Sequence, residues 1–178
     1  MMSQGLKVEV IPAAGISPAL LNAIHALCHR AYAEDLRPLF ATFDDPTHVL
    51  GFLDGALVAH AMWVTRWLQP GDNQPLRTAY VEMVATEPQF QGRGFATAIM
   101  RRLAEGISAY DLGGLSPAET SVYARLGWVF WRGPLFIRRD QQLMPTPDEQ
   151  VMILHLPQTP PLDLNQPLSA EWREGELW

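Results

Sequence analysis

The sequence has one cysteine, Cys28, which excludes an intrachain disulfide and fits a reducing compartment. No apolar run approaches the roughly 20 residues of a membrane-spanning helix. The opening Met-Met-Ser-Gln-Gly-Leu-Lys lacks the apolar stretch of a secretory signal. These absences lead us to expect a cytoplasmic protein with no membrane partner. There is no internal repeat. Basic charge is not in excess either: 13 Lys and Arg against 19 Asp and Glu give a net charge of −6, which disfavours nucleic acid as a partner. What is present is a 178-residue chain that is 48% hydrophobic and 10% aromatic, enough for one core and short for two.

The acidic excess is unevenly spread. Residues 140–178 hold seven acids (Asp140, Asp148, Glu149, Asp163, Glu171, Glu174 and Glu176) and one base, Arg173, so the whole excess lies there. Charge alone favours reading this segment as a solvated acidic tail, although such a field also attracts cations.

Hydrophobic patterning and turn residues predict the elements. Residues 6–11 alternate as a strand, and Ser17-Pro18 supplies a cap and first-turn proline for a helix to about Arg30. Asp54-Gly55 joins strands 47–53 and 56–66 as a hairpin. Residues 69–75 read as a loop, 77–86 as a strand and 94–106 as a helix carrying Phe95, Ile99, Met100 and Leu103 on one side. A short strand over 109–115 then leads into Ser116-Pro117-Ala118-Glu119, which reads as a capping box, with the helix stopping at Gly127. Strands are expected within 128–138 and 149–156, followed by an irregular proline-rich connection. The expected fold is α/β, a mixed, mostly antiparallel central sheet flanked by helices.

One stretch decides the functional class. A strand ending Val81-Glu82-Met83-Val84-Ala85-Thr86 turns at Pro88 into Gln91-Gly92-Arg93-Gly94-Phe95-Ala96-Thr97, where a helix begins. Helix N-termini present unpaired N–H groups to anions, and glycines let a diphosphate approach the backbone. There is no Gly-Lys-Ser/Thr of a P-loop, and Thr97 stands where a dinucleotide fingerprint wants glycine or alanine. The pattern resembles the acetyl-CoA signature of the GNAT N-acetyltransferase superfamily, Gln/Arg-x-x-Gly-x-Gly/Ala. A second resemblance is the later Tyr123-Ala-Arg-Leu-Gly127-Trp128, similar to the family's Tyr-x-x-x-Gly-Phe.

The resemblance implies acetyl-CoA as co-substrate. It puts the Val84 N–H toward the thioester carbonyl, Thr86 on the pantetheine arm, and Gln91, Gly92, Arg93, Gly94, Phe95, Ala96 and Thr97 around the pyrophosphate. Strand alternation puts Glu82 on the same face as Val84, where a carboxylate can take the amine proton directly or through water. Family precedent makes Tyr123 the acid, since a phenol near its ordinary value of about 10 roughly matches a departing thiolate near 8.5. His25, Cys28 and His29 have a spacing that can bind zinc, yet they lack the Glu of His-Glu-x-x-His and a further ligand, so no metal is expected.

Further stretches narrow the acceptor. Asp111-Leu-Gly-Gly-Leu-Ser116, Gly127-Trp-Val-Phe-Trp-Arg-Gly133, Thr146-Pro-Asp-Glu149 and Glu171-Trp-Arg-Glu-Gly-Glu-Leu-Trp178 resemble the aminoglycoside 2′-N-acetyltransferases. That resemblance implies antibiotic resistance, a cationic small-molecule acceptor, and an acceptor pocket drawing on Asp35, Glu82, Ser116, Asp148, Glu176 and the Trp178 carboxylate. It also implies a single domain over 1–178 whose acidic segment 140–178 closes the acceptor site. The sequence departs from the family at Glu34-Asp35-Leu36, at Phe43-Asp-Asp-Pro-Thr-His48 and at Glu176. Those departures leave room for an atypical acceptor such as kasugamycin. Alternatives are a transferase for a polyamine or amino acid, or a non-catalytic acyl-CoA-binding regulator. The oligomeric state, a homodimer included, stays open.

Overall fold

A computed structural model describes residues 5–178. The chain divides into two compact units, Met1–Val64 with Val81–Gly106, and Thr65–Tyr80 with Ile107–Trp178. Each has its own strands and buried residues. Among the described residues no helix is long and apolar enough to cross a membrane.

In the first unit, β1 (Leu6–Pro12) pairs antiparallel with β2 (Thr47–Leu53), and β2 pairs antiparallel with the opening part of β3 (Ala56–Pro70). The β2–β3 turn is the expected one: Asp54 and Gly55 both have positive φ, 50° and 82°, as the hairpin twist requires. The end of β4 (Leu76–Thr86) also belongs here. Helix α1 (Pro18–Tyr32) starts where predicted, with the Ser17 hydroxyl accepting the Leu20 N–H at 3.1 Å, and runs two residues past Arg30. It buries Ile24, Leu27 and Cys28 against Leu50, Met62, Met83 and Ala85. A short helix, α2 (Arg37–Phe40), follows it. Helix α3 (Phe95–Gly106) buries the predicted Phe95, Ile99, Met100 and Leu103.

In the second unit the strand order is β6-β9-β5-β4-β3-β10-β7-β8, where β5 is Leu112–Leu115, β6 Val129–Phe130, β7 Leu135–Arg139, β8 Gln142–Pro145, β9 Met152–His155 and β10 Leu168–Glu171. Pairs β4–β5 and β7–β10 are parallel, whereas β3–β10, β5–β9, β6–β9 and β7–β8 are antiparallel. The mixed, mostly antiparallel sheet expected from the sequence is therefore present.

Several boundaries differ from expectation. The capping box does not form. Helix α4 (Ser121–Arg125) starts after Thr120, whose side chain caps nothing, and the acceptor is instead the Glu119 carboxylate, 2.7 Å from the Ser121 N–H. Ser116 and Pro117 are left outside the helix. The strand over 109–115 begins only at Leu112, because Tyr110 closes a turn on Ile107 and the Asp111 carboxylate accepts the Arg77 N–H at 2.8 Å. The segment 128–138 breaks at Gly133-Pro134, where the Arg132 and Gly133 N–H groups both reach Leu164 O and a Cβ on Gly133 would lie 2.0 Å from Gln166 O.

The acidic segment is not a solvated tail. Its strand β10 lies between β3 and β7. It is fastened by Arg66, which is 1% exposed and donates to Glu171 O and Leu177 O, both at 2.7 Å, and to the Glu171 carboxylate at 3.3 Å. The guanidinium carbon also lies 5.0 Å from the Tyr80 ring centre and 5.9 Å from that of Trp178.

Candidate active site

The glycine-rich loop has the geometry its composition suggests. Gly92 and Gly94 have φ of 76° and 81°, in the left-handed region, and a Cβ at either would meet nothing within 4 Å. Glycine is thus needed there for backbone conformation and leaves an open concavity, not a filled contact. The first turn of α3 follows directly, with Ala98 N–H bonding Gly94 O at 3.1 Å, and helix geometry leaves the N–H groups ahead of it without helical acceptors. The buried Phe95 anchors the loop. The Arg93 guanidinium carbon lies 5.2 Å from the ring centres of both Phe90 and Phe95. An open cradle of free amides at a helix N-terminus, with a guanidinium alongside, suits a diphosphate, so these residues fit acetyl-CoA.

The loop is braced from behind. Glu87 N–H bonds Val58 O at 2.8 Å, and the Glu87 carboxylate takes a bidentate pair from Arg30 near the end of α1, with contacts of 2.8–3.1 Å. The Gln91 side-chain amide reaches back to Thr86 O at 3.4 Å.

Strand β4 leads into this loop. Glu82, Val84 and Thr86 are part-exposed while Val81, Met83 and Ala85 are buried, so the first three share the accessible face, as the alternation predicts. The strand is irregular at Met83, whose φ is 54°. A non-glycine residue there costs about 1–2 kcal/mol and needs support from its surroundings. Three side chains supply it. His60 Nδ1 donates to Met83 O at 2.8 Å, His48 Nδ1 lies 2.9 Å from His60 Nε2, and the Tyr32 hydroxyl donates to Val84 O at 2.8 Å. Burial lowers both histidines, His48 to about 4 and His60 to about 3, with the neighbouring imidazoles adding to the effect. Beside them, burial pushes the Cys28 thiol up to about 12, which makes it an inert apolar neighbour.

Asp35 also lies in the first unit, exposed and already paired with Arg37, whose guanidinium and backbone N–H hold its carboxyl well below the usual carboxylate range. A nearby cavity of about 380 Å³ is lined by Asn22, His25, His29, Arg30, Asp35 and Arg37.

In the second unit, Tyr123 stands in α4, half-buried and edge-on to Trp128. Burial, followed by the Glu119 charge, pushes its phenol up to about 12, above the ordinary value used in the sequence reading. Gly127, with φ of 90°, ends this helix as expected, and Trp128 N–H returns to Tyr123 O at 3.1 Å. Trp178 is buried and its indole N–H donates to Thr146 Oγ1 at 2.8 Å. That bond joins the chain's last residue to the turn holding Asp148. Thr146 and Glu149 also line a cavity of about 600 Å³ with Phe130, Trp131 and Arg132. Ser116, Asp148 and Glu176 are exposed. Sequence reasoning missed Tyr32, Arg30, His48, His60 and Arg66. No alternating pattern marks the two histidines, because residues 48–51 and 58–64 are buried without a break.

The family model described as an acetyltransferase (GNAT) domain matches residues 20–130. An aminoglycoside 2′-N-acetyltransferase of Mycolicibacterium fortuitum is 36% identical over 131 residues, covering 70% of this chain and 67% of that protein. Among solved structures, Eis1 from Mycobacterium abscessus superposes with a TM-score of 0.61 at 20% identity over 72% of this chain, which spans only 32% of the Eis1 chain. The Escherichia coli GNAT family N-acetyltransferase YhbS, solved in complex with CoA, gives 0.61 at 13% identity over 93% of this chain and 89% of its own. Those two likenesses concern the fold alone. The family match over residues 20–130, more than half of the sequence, establishes that the chain is a member of the GNAT acetyltransferase family.

Proposed function

We propose that this acetyltransferase moves the acetyl group of acetyl-CoA to the 2′-amine of an aminoglycoside, a reaction that confers antibiotic resistance, with a kasugamycin-like acceptor included in the range. The observation that carries this reading is the 36% identity to an aminoglycoside 2′-N-acetyltransferase over two thirds of that protein. In this reading Gln91 to Thr97 hold the pyrophosphate and Thr86 the pantetheine arm. The Val84 N–H faces the thioester carbonyl. Glu82 accepts a proton from the attacking amine, directly or through water. Tyr123 donates toward the sulfur as the carbon–sulfur bond breaks. With its phenol near 12, full proton transfer to a thiolate near 8.5 is uphill by about 3.5 pKa units, so donation of a hydrogen bond precedes transfer. Asp35, Ser116, Asp148, Glu176 and Trp178 are assigned to the cationic acceptor by resemblance, with segment 140–178 as its acidic side. Asp35 must then share its carboxylate between Arg37 and the acceptor.

The test is an aminoglycoside panel that includes kasugamycin, read as acetyl-CoA-dependent mass gain and thiol release. Acetylation of a polyamine or amino acid alone would move the acceptor class, and CoA binding without turnover would leave a regulator. Tyr123→Phe should lower kcat about 10²–10⁴-fold with little change in acceptor KM. Gly94→Glu should abolish CoA binding in calorimetry. Glu176→Gln should raise acceptor KM about tenfold. That substitution is preferred to truncation because Trp178 is buried and Leu177 O is held by Arg66.

A further inference from the structure

We propose that His48 and His60 form a positioning relay that sets the left-handed turn at Met83 and thereby aims the backbone between Glu82 and Val84. Left-handed φ at Met83 turns its carbonyl away from where a regular strand would carry it, and the residue is only 7% exposed. A buried carbonyl needs a donor. His60 Nδ1, 2.8 Å away, is that donor, and this fixes the tautomer: the proton sits on Nδ1 and Nε2 is left as an acceptor. His48 Nδ1, 2.9 Å from that Nε2, must then be protonated and donate to it. The result is a directed chain from His48 to His60 to Met83 O, closed to water, since His48 is 2% and His60 0% exposed. Around it lie the Cys28 sulfur at 3.9 Å, the Phe40 ring, and His25, whose charge is disfavoured by burial and by Arg37. Both rings are buried and lie close to one another and to His25, which disfavours charge on either, so two neutral rings are the arrangement that satisfies the site.

The consequence is specific. A lone structural histidine could use either nitrogen, whereas this relay works in one tautomer only. It also acts on a backbone atom between two residues given chemical roles above, so the inference rests on the proposed function for its catalytic readout. Its structural readout is independent of that function.

Nitrogen-15 spectra of the histidine-labelled chain at pH 7 should show His60 protonated at Nδ1 alone. A His60 Nε2–H tautomer would overturn the relay whatever the enzyme acts on. Calorimetry of wild type with CoA tests the functional reading separately. In kinetics with the acceptor that the panel identifies, His60→Leu should lower kcat/KM about 10–100-fold, part of it in kcat, as a displaced backbone would. His60→Asn, whose amide places an N–H near the Nδ1 position, should recover most of this. Met83→Gly in the His60→Leu background should recover it too, because glycine takes left-handed φ unaided. Unchanged kinetics in His60→Leu, or losses that neither second variant repairs, would reduce the pair to ordinary core. If His60→Leu does not fold, His48→Leu takes its place. It should keep the Nδ1–H tautomer that Met83 O imposes on His60 and give a smaller kinetic loss, and unchanged kinetics there would refute the relay.

Discussion

The two units bury polar groups by opposite means. In the first, His48 and His60 are buried and give up their charge, so that each ring becomes one donor and one acceptor in a chain. In the second, Arg66 is equally buried and cannot give up its charge, although burial lowers its affinity for the proton. It recruits two carbonyls, one carboxylate and two aromatic faces. A titratable group can solve burial by losing a proton. A guanidinium must be surrounded, and the surrounding here organises residues 171–178.

The largest expected break in this comparison is Arg66→Leu. Removing one partner of a buried charged network costs about 3–5 kcal/mol, and here it also strands Glu171 O and Leu177 O. Urea unfolding should report that loss, and Arg66→Lys should recover only part, because an ammonium lacks the planar fork that reaches both carbonyls. A loss below about 1 kcal/mol would mean that the guanidinium is incidental.

The histidine side of the comparison responds to acid instead. Both folded values lie below the unfolded one of about 6.5, so their contribution is present above pH 6.5 and is lost as pH falls toward about 4. Each neutral histidine then contributes a slope of about 1.4 kcal/mol per pH unit. Between pH 7.5 and 5.5 wild type should lose roughly 2–3 kcal/mol, and a His48→Asn, His60→Asn double variant should show a flatter profile over that range. Parallel profiles would place the acid sensitivity elsewhere.

A smaller effect should come from Thr146→Val. It removes the acceptor of the buried Trp178 indole N–H and should cost about 1–2 kcal/mol, visible in thermal unfolding. No change would mean that the indole finds another acceptor once the threonine is gone.

The parts of this molecule legible in the sequence are those fixed by neighbours in the chain. Ser17-Pro18 predicts a cap that the Ser17–Leu20 bond supplies. Asp54-Gly55 predicts its hairpin, and the glycines of residues 91–97 predict the loop and the start of α3. The failures have a common cause. At Ser116 the local capping pattern competes with Glu119, which reaches Ser121 first. Strand β8 went unseen because Asp140 and Gln141 take positive φ, 50° and 65°, without the glycine that marks such turns. Strand β10 follows Pro167 and is only four residues long, and its pairing with β3 spans about 100 positions of sequence. The candidate site divides the same way. Its loop was legible from glycine spacing, whereas the relay behind Met83 depends on residues 12 and 23 positions from His60.

The placement of β10 also bears on how the chain is made. Among the described residues, the end of β3 at Gln69–Pro70 pairs with Leu168–Ser169, and β7 takes Leu168–Glu171 as its parallel neighbour. During synthesis those edges emerge long before their partner does, and unpaired strand edges recruit other chains. The second unit therefore faces its greatest hazard on the ribosome, in the interval before β10 is released. Non-local pairing of this kind is slow to form. Expression at lower temperature, or with a chaperone that shields extended segments, should raise the soluble yield more than any substitution in the finished core.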